Sequence, residues 1–335
     1  MKKNRAAVFI LPFLFFSCAS SKVPSVNESL QKDIPTVEFT EVWGYVFDSC
    51  ESDYQTTMPV TDIGYFAKAI TKFSEVPYVP PKEKYFSSTT AKVHLVTSCD
   101  SRSQTHLLLE PSLPLRNKII DGLIKASSTY DGLQVDWEHV LPEDKKNFED
   151  FLKTLKSKLN GKMLSVAIPA RVKTLEKDAY CYADLAKIAD RIIIMAYDQH
   201  WSTSEPGPVA GTDWCEKIAL YAKSQIPDEK LVMGLSFYAR AWRDDKTGGK
   251  AYTYPTLQKV MGENKIKNHK RDDFSIPSFE IEKKLKITVW YDDAASLLVR
   301  TKMYADSGID KISFWRIGQE DKNYWQHLKI KTVAE

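Results

Sequence analysis

Cysteine, histidine and glycine are scarce in this chain of 335 residues, which holds 5 cysteines, 6 histidines and 13 glycines. Cys50, Cys99, Cys181 and Cys215 show no Cys-x-x-Cys spacing, which argues against a structural metal site. They either form at least one disulfide or stay as four buried thiols, and the sequence leaves both alternatives open. No glycine-rich phosphate turn follows any candidate strand, which argues against a dinucleotide-binding sheet.

A large charge of one sign and long apolar runs are also missing. The formal charge is +3, and three of the 47 basic residues lie within the first five positions, so the rest of the chain balances its 44 acidic residues. This balance leaves no electrostatic footprint for nucleic acid. No apolar run beyond the N-terminus is long enough for a membrane span. A hydrophobic content of 43% instead indicates a folded protein with a sizeable core.

The N-terminus has the pattern of an export signal. A basic start precedes an apolar stretch at residues 6–16 that is too short to span a bilayer, and Cys18 follows it closely. Residues 1–18 resemble a bacterial lipoprotein signal, in which Cys18 becomes the lipidated first residue; simple secretion and a retained anchor are the alternatives. We therefore expect an exported protein, lipid-anchored to a bacterial cell membrane and facing the periplasm or the surface. Residues 19–38 are polar and predict a flexible tether.

The remainder, residues 39–335, alternates short apolar strands with amphipathic helices. Strands buried on both faces and separated by helices favour parallel pairing. Eight such units predict an α/β fold, a closed (β/α)8 TIM barrel. The predicted strands are 42–47, 62–67, 93–98, 132–137, 163–169, 192–197, 231–238 and 312–317, and the clearest helices are 142–159, 213–224 and 294–306.

A long segment at about 243–288 interrupts this rhythm between the seventh and eighth strands. It is too long for a bare loop. We predict a small α+β insertion that walls one side of a cleft, with a disordered insert as the alternative.

Two carboxylates follow the fourth predicted strand. With a side-chain period of two, Gln134, Asp136 and Glu138 share one face, and that face points into the barrel. Carboxylates at the C-terminal end of a barrel strand are placed where such barrels carry out chemistry. Burial and like charge raise the pKa of one carboxyl, which makes it a proton donor. Asp131 is out of phase and joins this set only if the strand kinks near Gly132. Taken alone, Asp-x-Glu would favour an ion-paired surface turn.

Four segments in order resemble one family. Residues 131–138, DGLQVDWE, are similar to the D-G-x-D-x-D-x-E signature of glycoside hydrolase family 18. Residues 195–198, MAYD, 234–242, GLSFYARAW, and 312–315, ISFW, look like further segments of that family. The resemblance covers roughly residues 40–325. It implies a (β/α)8 barrel and the activity of chitinases and related β-N-acetylglucosaminidases.

The resemblance also implies roles for individual residues. Glu138 would protonate the glycosidic oxygen, while the substrate's own acetamide oxygen attacks the anomeric carbon. Asp136 would hydrogen-bond the acetamide N–H and stabilise the cationic intermediate, and Tyr197 would donate to the acetamide oxygen. The expected substrate-binding residues are Asp131, Gln134, Asp198, Arg240 and Trp315, the last by stacking on the sugar.

Gln134 departs from the family pattern, which has Asp at this position. A glutamine can hydrogen-bond Asp136 but cannot take its proton, so we expect activity with a lower rate or an altered pH profile. Ser236 and Ala239 replace the usual Pro and Gly.

The resulting functional hypothesis is an exported glycosidase. It would hydrolyse β-1,4 linkages next to N-acetylglucosamine, in chitin oligosaccharides or peptidoglycan, with retention of configuration. The alternative is a catalytically weak or inactive, lectin-like surface lipoprotein, which Gln134 keeps open although Glu138 is present. The expected partners are an N-acetylated glycan and the lipid anchor. We expect a monomer without nucleic acid, metal or cofactor.

Overall fold

The computed structural model describes residues 36–267, 269–282 and 285–332, without the side chains of residues 246 and 247. The predicted export signal, Cys18 and the tether up to residue 35 lie outside the described residues. Within the described ranges, no helix combines the length and apolar character needed to cross a membrane.

The centre of the protein is a closed barrel of eight parallel strands. After the short strand β1 (Val37–Phe39), the barrel strands in chain order are β2 (Glu41–Phe47), β3 (Asp62–Phe66), β4 (Lys92–Ser98), β5 (Gly132–Asp136), β6 (Met163–Pro169), β7 (Arg191–Met195), β8 (Leu231–Ser236) and, after five further strands, β14 (Lys311–Trp315). Strand β14 pairs with both β8 and β2, so the sheet has no free edge. The predicted (β/α)8 barrel and all eight strands are confirmed. The predicted ends of the sixth, seventh and eighth strands each lie two residues too far along the chain, because the observed strands end at Met195, Ser236 and Trp315.

Helices connect the strands on the outside of the barrel, except the helix at Tyr254–Glu263, which belongs to the insertion. In the part of the chain that the structure describes they are α1 (Glu83–Phe86), α2 (Arg102–Leu109), α3 (Pro114–Ala126), α4 (Lys145–Lys158), α5 (Tyr182–Ala186), α6 (Thr212–Gln225), α7 (Tyr254–Glu263) and α8 (Ala294–Asp306). Helix α4 buries its apolar residues, Phe148 and Phe151 among them, at the predicted three-to-four spacing. Pro142 opens a short 3-10 turn just before it.

Two apolar layers hold the barrel. Outward-facing side chains such as Leu133 and Val135 are completely buried between the strands and the helices. Inside the barrel, Trp43, Ile193 and Val232 pack together below the cleft. Burial of this kind stabilises by about 25 cal/mol per Å² of apolar surface, so the filled interior is a rigid base for the residues above it.

The insertion between β8 and β14 is an ordered subdomain. Its strands β9 (Tyr238–Arg243), β10 (Lys246–Thr253), β11 (Lys270–Arg271), β12 (Pro277–Glu282) and β13 (Lys286–Trp290) form an antiparallel sheet in the order β10-β9-β13-β12-β11. Helix α7 packs on this sheet through Leu257 and Met261, and the two share a small core of their own. The α+β prediction fits this architecture, whereas the described residues do not fit a disordered insert. The subdomain is also wider than predicted, since it starts at Tyr238.

The N- and C-terminal segments meet beside the barrel. Strand β1 pairs in parallel with β15 (Leu328–Ile330), so that Val37 lies opposite Leu328 and Phe39 opposite Ile330. Val37 and Phe39 are buried. The predicted tether, which was drawn to residue 38, therefore stops at least two residues earlier, because Val37 and Glu38 already belong to a paired strand.

The four cysteines of the barrel are free thiols. Cys99 and Cys215 are buried, whereas Cys50 and Cys181 are partly exposed. These four cysteines therefore form no disulfide. The alternative of four buried thiols holds for only two of them.

Candidate active site

A cleft opens at the C-terminal ends of the barrel strands. It encloses about 540 Å³ and lies between the barrel mouth and the insertion. Its lining includes six of the predicted site residues: Asp136, Glu138, Tyr197, Asp198, Arg240 and Trp315. Side chains from β5, β7, β9 and β14 thus converge at one place, although up to 179 residues separate them along the chain, from Asp136 to Trp315.

Side chains along β5 point alternately into and out of the barrel, and this alternation sets the position of the carboxylates. Gln134 and Asp136 point into the barrel with 0% and 7% of their surface exposed, while Leu133 and Val135 pack outward. Glu138 lies two residues beyond Asp136, at the cleft surface. Gly132 at the start of the strand leaves room for its neighbours: a Cβ there would lie 2.4 Å from His94 Nδ1 and 2.6 Å from the Met163 carbonyl oxygen.

The two carboxyl groups share an environment that favours protonation. Burial raises the pKa of Asp136 well above its ordinary value, and the charges of Glu138 and Asp100 raise it further. Asp136 Oδ1 is buried and has no hydrogen-bond partner among the described residues. Burial in the cleft raises the pKa of Glu138. The charges of Asp198 and Asp100 raise it further, whereas His139 lowers it. Glu138 remains open to solvent, so a proton held there can reach a ligand.

Gln134 and Tyr45 lie beneath Asp136 in the barrel interior. Gln134 is fully buried, and its side chain lies next to the Tyr45 hydroxyl. Tyr45, from the end of β2, is also buried, and burial together with the Asp136 charge raises the pKa of its hydroxyl. Sequence reasoning missed Tyr45. Its position in the alternating run VWGYVF, at the end of the first barrel strand, was the available signal.

Tyr197 and Trp315 form the aromatic part of the cleft. Burial, with the neighbouring Tyr45 and Asp136, raises the pKa of Tyr197 far above its ordinary value, so its hydroxyl is a proton-bearing donor at neutral pH. Trp315 ends β14 and packs against Tyr45 and Phe66, with ring centroids 5.5 Å and 4.9 Å away. These contacts fix the indole ring at the base of the cleft, where it is partly exposed.

Asp198 is held by the first strand of the insertion. Tyr238 donates its hydroxyl to Asp198 Oδ1 at 2.6 Å, and Arg240 Nη2 donates to the same oxygen at 2.7 Å. Asp198 has a φ of 58°, in the left-handed region that non-glycine residues rarely occupy and that often marks functional sites. The structure therefore brings the predicted Asp198 and Arg240 together and adds Tyr238, which the sequence reasoning did not single out.

Asp131 does not line this cleft. The prediction that Asp131 binds substrate there is therefore corrected. Asp131 precedes β5, roughly 16 Å along the strand from Asp136. Both of its carboxylate oxygens accept from Lys82 Nζ at 2.7 Å, and one also accepts from the Val93 N–H at 2.7 Å. The kink at Gly132 that would bring Asp131 upward is absent, because Gly132 already pairs in register with His94 and Met163.

No metal site accompanies these residues. Among the described residues, no group of three or more His, Cys, Asp or Glu side chains could hold a metal ion. The arrangement can supply a proton from Glu138, a buried carboxyl group from Asp136 beside which positive charge is stabilised, and an aromatic surface from Trp315.

The fold and this cleft define a (β/α)8 barrel whose candidate active site is built on a pair of carboxylates at the end of its fourth strand. The sequence model described as Glycosyl hydrolases family 18 matches residues 107–320. This range is well over half of the chain and includes Asp136, Glu138 and Trp315. The chain belongs to this family.

Two curated proteins illustrate the relationship. The chain is 27% identical over 229 residues to the uncharacterized glycosylase YvbX of Bacillus subtilis, a match that covers 65% of this chain and 66% of the relative. It is 27% identical over 227 residues to the cortical fragment-lytic enzyme of Bacillus anthracis, covering 64% of this chain and 53% of that protein. The chain thus spans about half to two thirds of the length of these relatives.

Solved structures share the fold. The spore cortex-lytic enzyme SleL of Bacillus cereus superimposes with a TM-score of 0.78 at 22% identity and covers 90% of this chain and 77% of its own. A chitinase from Chromobacterium violaceum superimposes with a TM-score of 0.74 at 22% identity, over 86% of this chain and 97% of its own. These likenesses confirm the barrel architecture.

Proposed function

We propose that this protein is an exported, lipid-tethered glycosidase that hydrolyses β-1,4 linkages next to N-acetylglucosamine in a cell-wall glycan of the peptidoglycan type. The observation that carries the proposal is Glu138: a carboxyl with a raised pKa, open to a cleft, two residues from the buried carboxyl of Asp136. The relatives support the substrate class, because their names include cortical fragment-lytic and spore cortex-lytic enzymes as well as chitinases.

The chemistry begins at the protonated Glu138. In the proposed reaction its proton passes to the glycosidic oxygen, and the bond from that oxygen to the anomeric carbon breaks. The sugar's own acetamide oxygen forms the replacing bond on the opposite face, and the charge then spread over the acetamide is stabilised by Asp136. Water deprotonated by Glu138 opens this intermediate, which returns the proton and retains the configuration.

Other cleft residues position the sugar in this scheme. Tyr197 keeps its proton at neutral pH and so can donate to the acetamide oxygen. Trp315 lies at the base of the cleft, where a sugar ring can place its apolar C–H face on the indole. Asp198 is fixed by Arg240 and Tyr238, which leaves its second carboxylate oxygen for sugar hydroxyls or the acetamide.

A glycan-binding protein without turnover is the second candidate, and Gln134 is the observation that favours it. Gln134 is completely buried beneath Asp136 and cannot share a proton with it. Asp136 must therefore work without an acidic neighbour on its own strand below it.

Turnover separates these candidates. Purified full-length protein is incubated with N-acetylglucosamine oligomers and with peptidoglycan, and the products are followed by mass spectrometry beside a Glu138→Gln control. Product from either glycan that falls by about 100-fold or more in Glu138→Gln supports the glycosidase. Binding of glycan without product in the parent supports the binding protein, and equal turnover in the variant would remove Glu138 as the acid.

A further inference from the structure

The segment that carries Glu138 lies beyond the hydrogen-bonded part of β5. The pairing of β5 with its two neighbours ends at Val135 on one side and at Asp136 on the other. Residues 137–141 then lie outside any strand or helix. The sheet therefore does not fix the backbone of Glu138, and contacts from elsewhere must do so.

The hydroxyl group of Tyr180 holds this segment at two points. It donates to the Trp137 carbonyl oxygen at 2.6 Å, and the Val140 N–H donates to the same hydroxyl oxygen at 3.0 Å. The first contact lies one residue before Glu138 and the second lies two residues after it. A hydroxyl group can donate one hydrogen bond while it accepts another, so a single oxygen atom bridges the backbone on both sides of Glu138.

Tyr180 is itself held in place from two directions. It is 5% exposed, and its ring meets Phe148 of helix α4 edge-on, with the ring centroids 6.1 Å apart. Its own N–H donates to Asp178 Oδ1 at 3.0 Å. Arg171 in turn donates to both oxygens of Asp178, from Nε at 2.8 Å and from Nη2 at 3.2 Å. Arg171 lies two residues after the end of β6, so the neighbouring barrel strand anchors this support.

The hydroxyl group of Tyr180 keeps its proton at every pH at which Glu138 can act as an acid. Burial raises the pKa of Tyr180 above its ordinary value. The hydrogen bond from Val140 acts the other way, whereas the nearby charges of Glu138 and Asp136 add to the rise. The donor to the Trp137 carbonyl oxygen is therefore present in both protonation states of Glu138.

We propose that Tyr180 is a positioning residue, whose hydroxyl group fixes the backbone of residues 137–140 and thereby aims the carboxyl group of Glu138 at the glycosidic oxygen. Tyr180 does not line the cleft, so its effect on a bound glycan passes through Glu138. Proton transfer needs a donor within hydrogen-bond reach of its acceptor, and a displacement of about 1 Å is enough to slow such a step. This inference rests on the proposed function and adds the residue that supports the acid.

Tyr180→Phe tests this role, because it removes one oxygen atom and keeps the ring. Turnover is measured as kcat/KM on two substrates: the glycan that the parent hydrolyses, and the dinitrophenyl glycoside of an N-acetylglucosamine disaccharide, whose leaving group departs without a proton. We expect kcat/KM to fall about tenfold on the glycan and to stay within about twofold on the dinitrophenyl glycoside. A merely structural role would lower both values alike, and equal losses would overturn the inference.

Tyr130→Phe is the matched control. Tyr130 is also buried, and its hydroxyl group donates to the Pro80 carbonyl oxygen at 2.7 Å, but it lies before the other end of β5. The same chemical change there should leave kcat/KM on both substrates within about twofold. Because both variants lose a buried hydrogen bond to a carbonyl group, a loss of turnover confined to Tyr180→Phe cannot come from lost stability alone.

A second measurement does not depend on turnover. Tyr180→Phe removes the acceptor of the Val140 N–H, so we expect hydrogen exchange at Val140 to become about tenfold faster in this variant and to stay unchanged in Tyr130→Phe. Mass spectrometry with fragmentation to single residues measures both rates. Unchanged exchange at Val140 in Tyr180→Phe would contradict the inference. Absence of product from every glycan in the parent would speak against the proposed function instead, and the exchange rate would still decide whether Tyr180 holds the segment that carries Glu138.

Discussion

Strand β5 has an aspartate next to each of its ends, and the pKa values of these two residues are shifted in opposite directions. Asp131, just before the strand, is bound by Lys82 and by the Val93 N–H, and these partners hold its pKa below the ordinary value against a partial burial that acts the other way. Asp136, at the far end, is buried, faces Glu138 and Asp100, and has a pKa raised well above the ordinary value. Asp131 therefore stabilises the fold, whereas the burial of Asp136 lowers the free energy of unfolding.

This difference follows from the architecture of the barrel. The N-terminal end is closed by paired groups, such as Arg191 with Glu41 at 2.7 Å and His94 with Asp62 at 2.9 Å. The C-terminal end leaves Asp136 Oδ1 without a partner in the described part of the chain. In barrels of this kind chemistry belongs to the C-terminal face and stability to the N-terminal face. The two aspartates therefore allow the two roles to be separated within one strand.

The largest expected effect is on turnover. Asp136→Asn removes the carboxyl group that stabilises the positive charge of the intermediate, and we expect kcat to fall by about 100-fold or more. Asp131→Asn is the matched control with the same chemical change at the other end of the strand. Its kcat should stay within about twofold, because Lys82 and Asp131 are distant from the cleft. Steady-state kinetics on the glycan that the parent hydrolyses measures both, and equal losses would abolish the contrast.

Stability should respond in the reverse sense. Asp131→Asn loses charge-assisted hydrogen bonds that are partly open to solvent, and we expect the free energy of unfolding at pH 7 to fall by about 1 kcal/mol. Asp136→Asn relieves the burial of a carboxylate without a partner, and we expect a gain of about 1 kcal/mol. Urea unfolding followed by tryptophan fluorescence measures both changes. A large loss in Asp136→Asn would mean that Asp136 is structural.

The pH dependence of stability sharpens the contrast at Asp131. Because folding lowers the pKa of Asp131, its contribution is present above the pKa of the unfolded chain, about 3.9, and is lost as the pH falls through the folded value. The difference in unfolding free energy between the parent and Asp131→Asn should therefore shrink between pH 7 and pH 2, with the change beginning only below about pH 5. A difference that stays constant over this range would show that the charge of Asp131 contributes nothing.

The fold was more predictable than the polar contacts of the site. Period-two alternation along β5 was sufficient to place Gln134 and Asp136 inside the barrel, and this placement is confirmed. The same alternation could not place Asp131, because the partner that holds it, Lys82, lies 49 residues away in sequence. Likewise, Tyr238 contacts Asp198 only because the insertion folds back over the cleft, and such long-range contacts leave no local pattern.

The smallest expected effect concerns Asp100, which lines a cavity next to Asp136 and Glu138 and whose charge raises the pKa of both carboxyl groups. Glu138 also faces Asp198, whose charge acts in the same direction, and His139, which acts against it. Replacing Asp100 by Asn removes one raising charge, so the pKa of Glu138 should fall, and the acid should lose its proton at a lower pH. We expect the alkaline limb of the kcat/KM profile to move to lower pH, with the shift decreasing as salt screens the charge.

Asp213→Asn, on the outer helix α6, is the control and should leave that limb in place. If the alkaline limb does not move in Asp100→Asn, the pKa of Glu138 does not depend on Asp100. Burial, Asp198 and His139 would then determine it.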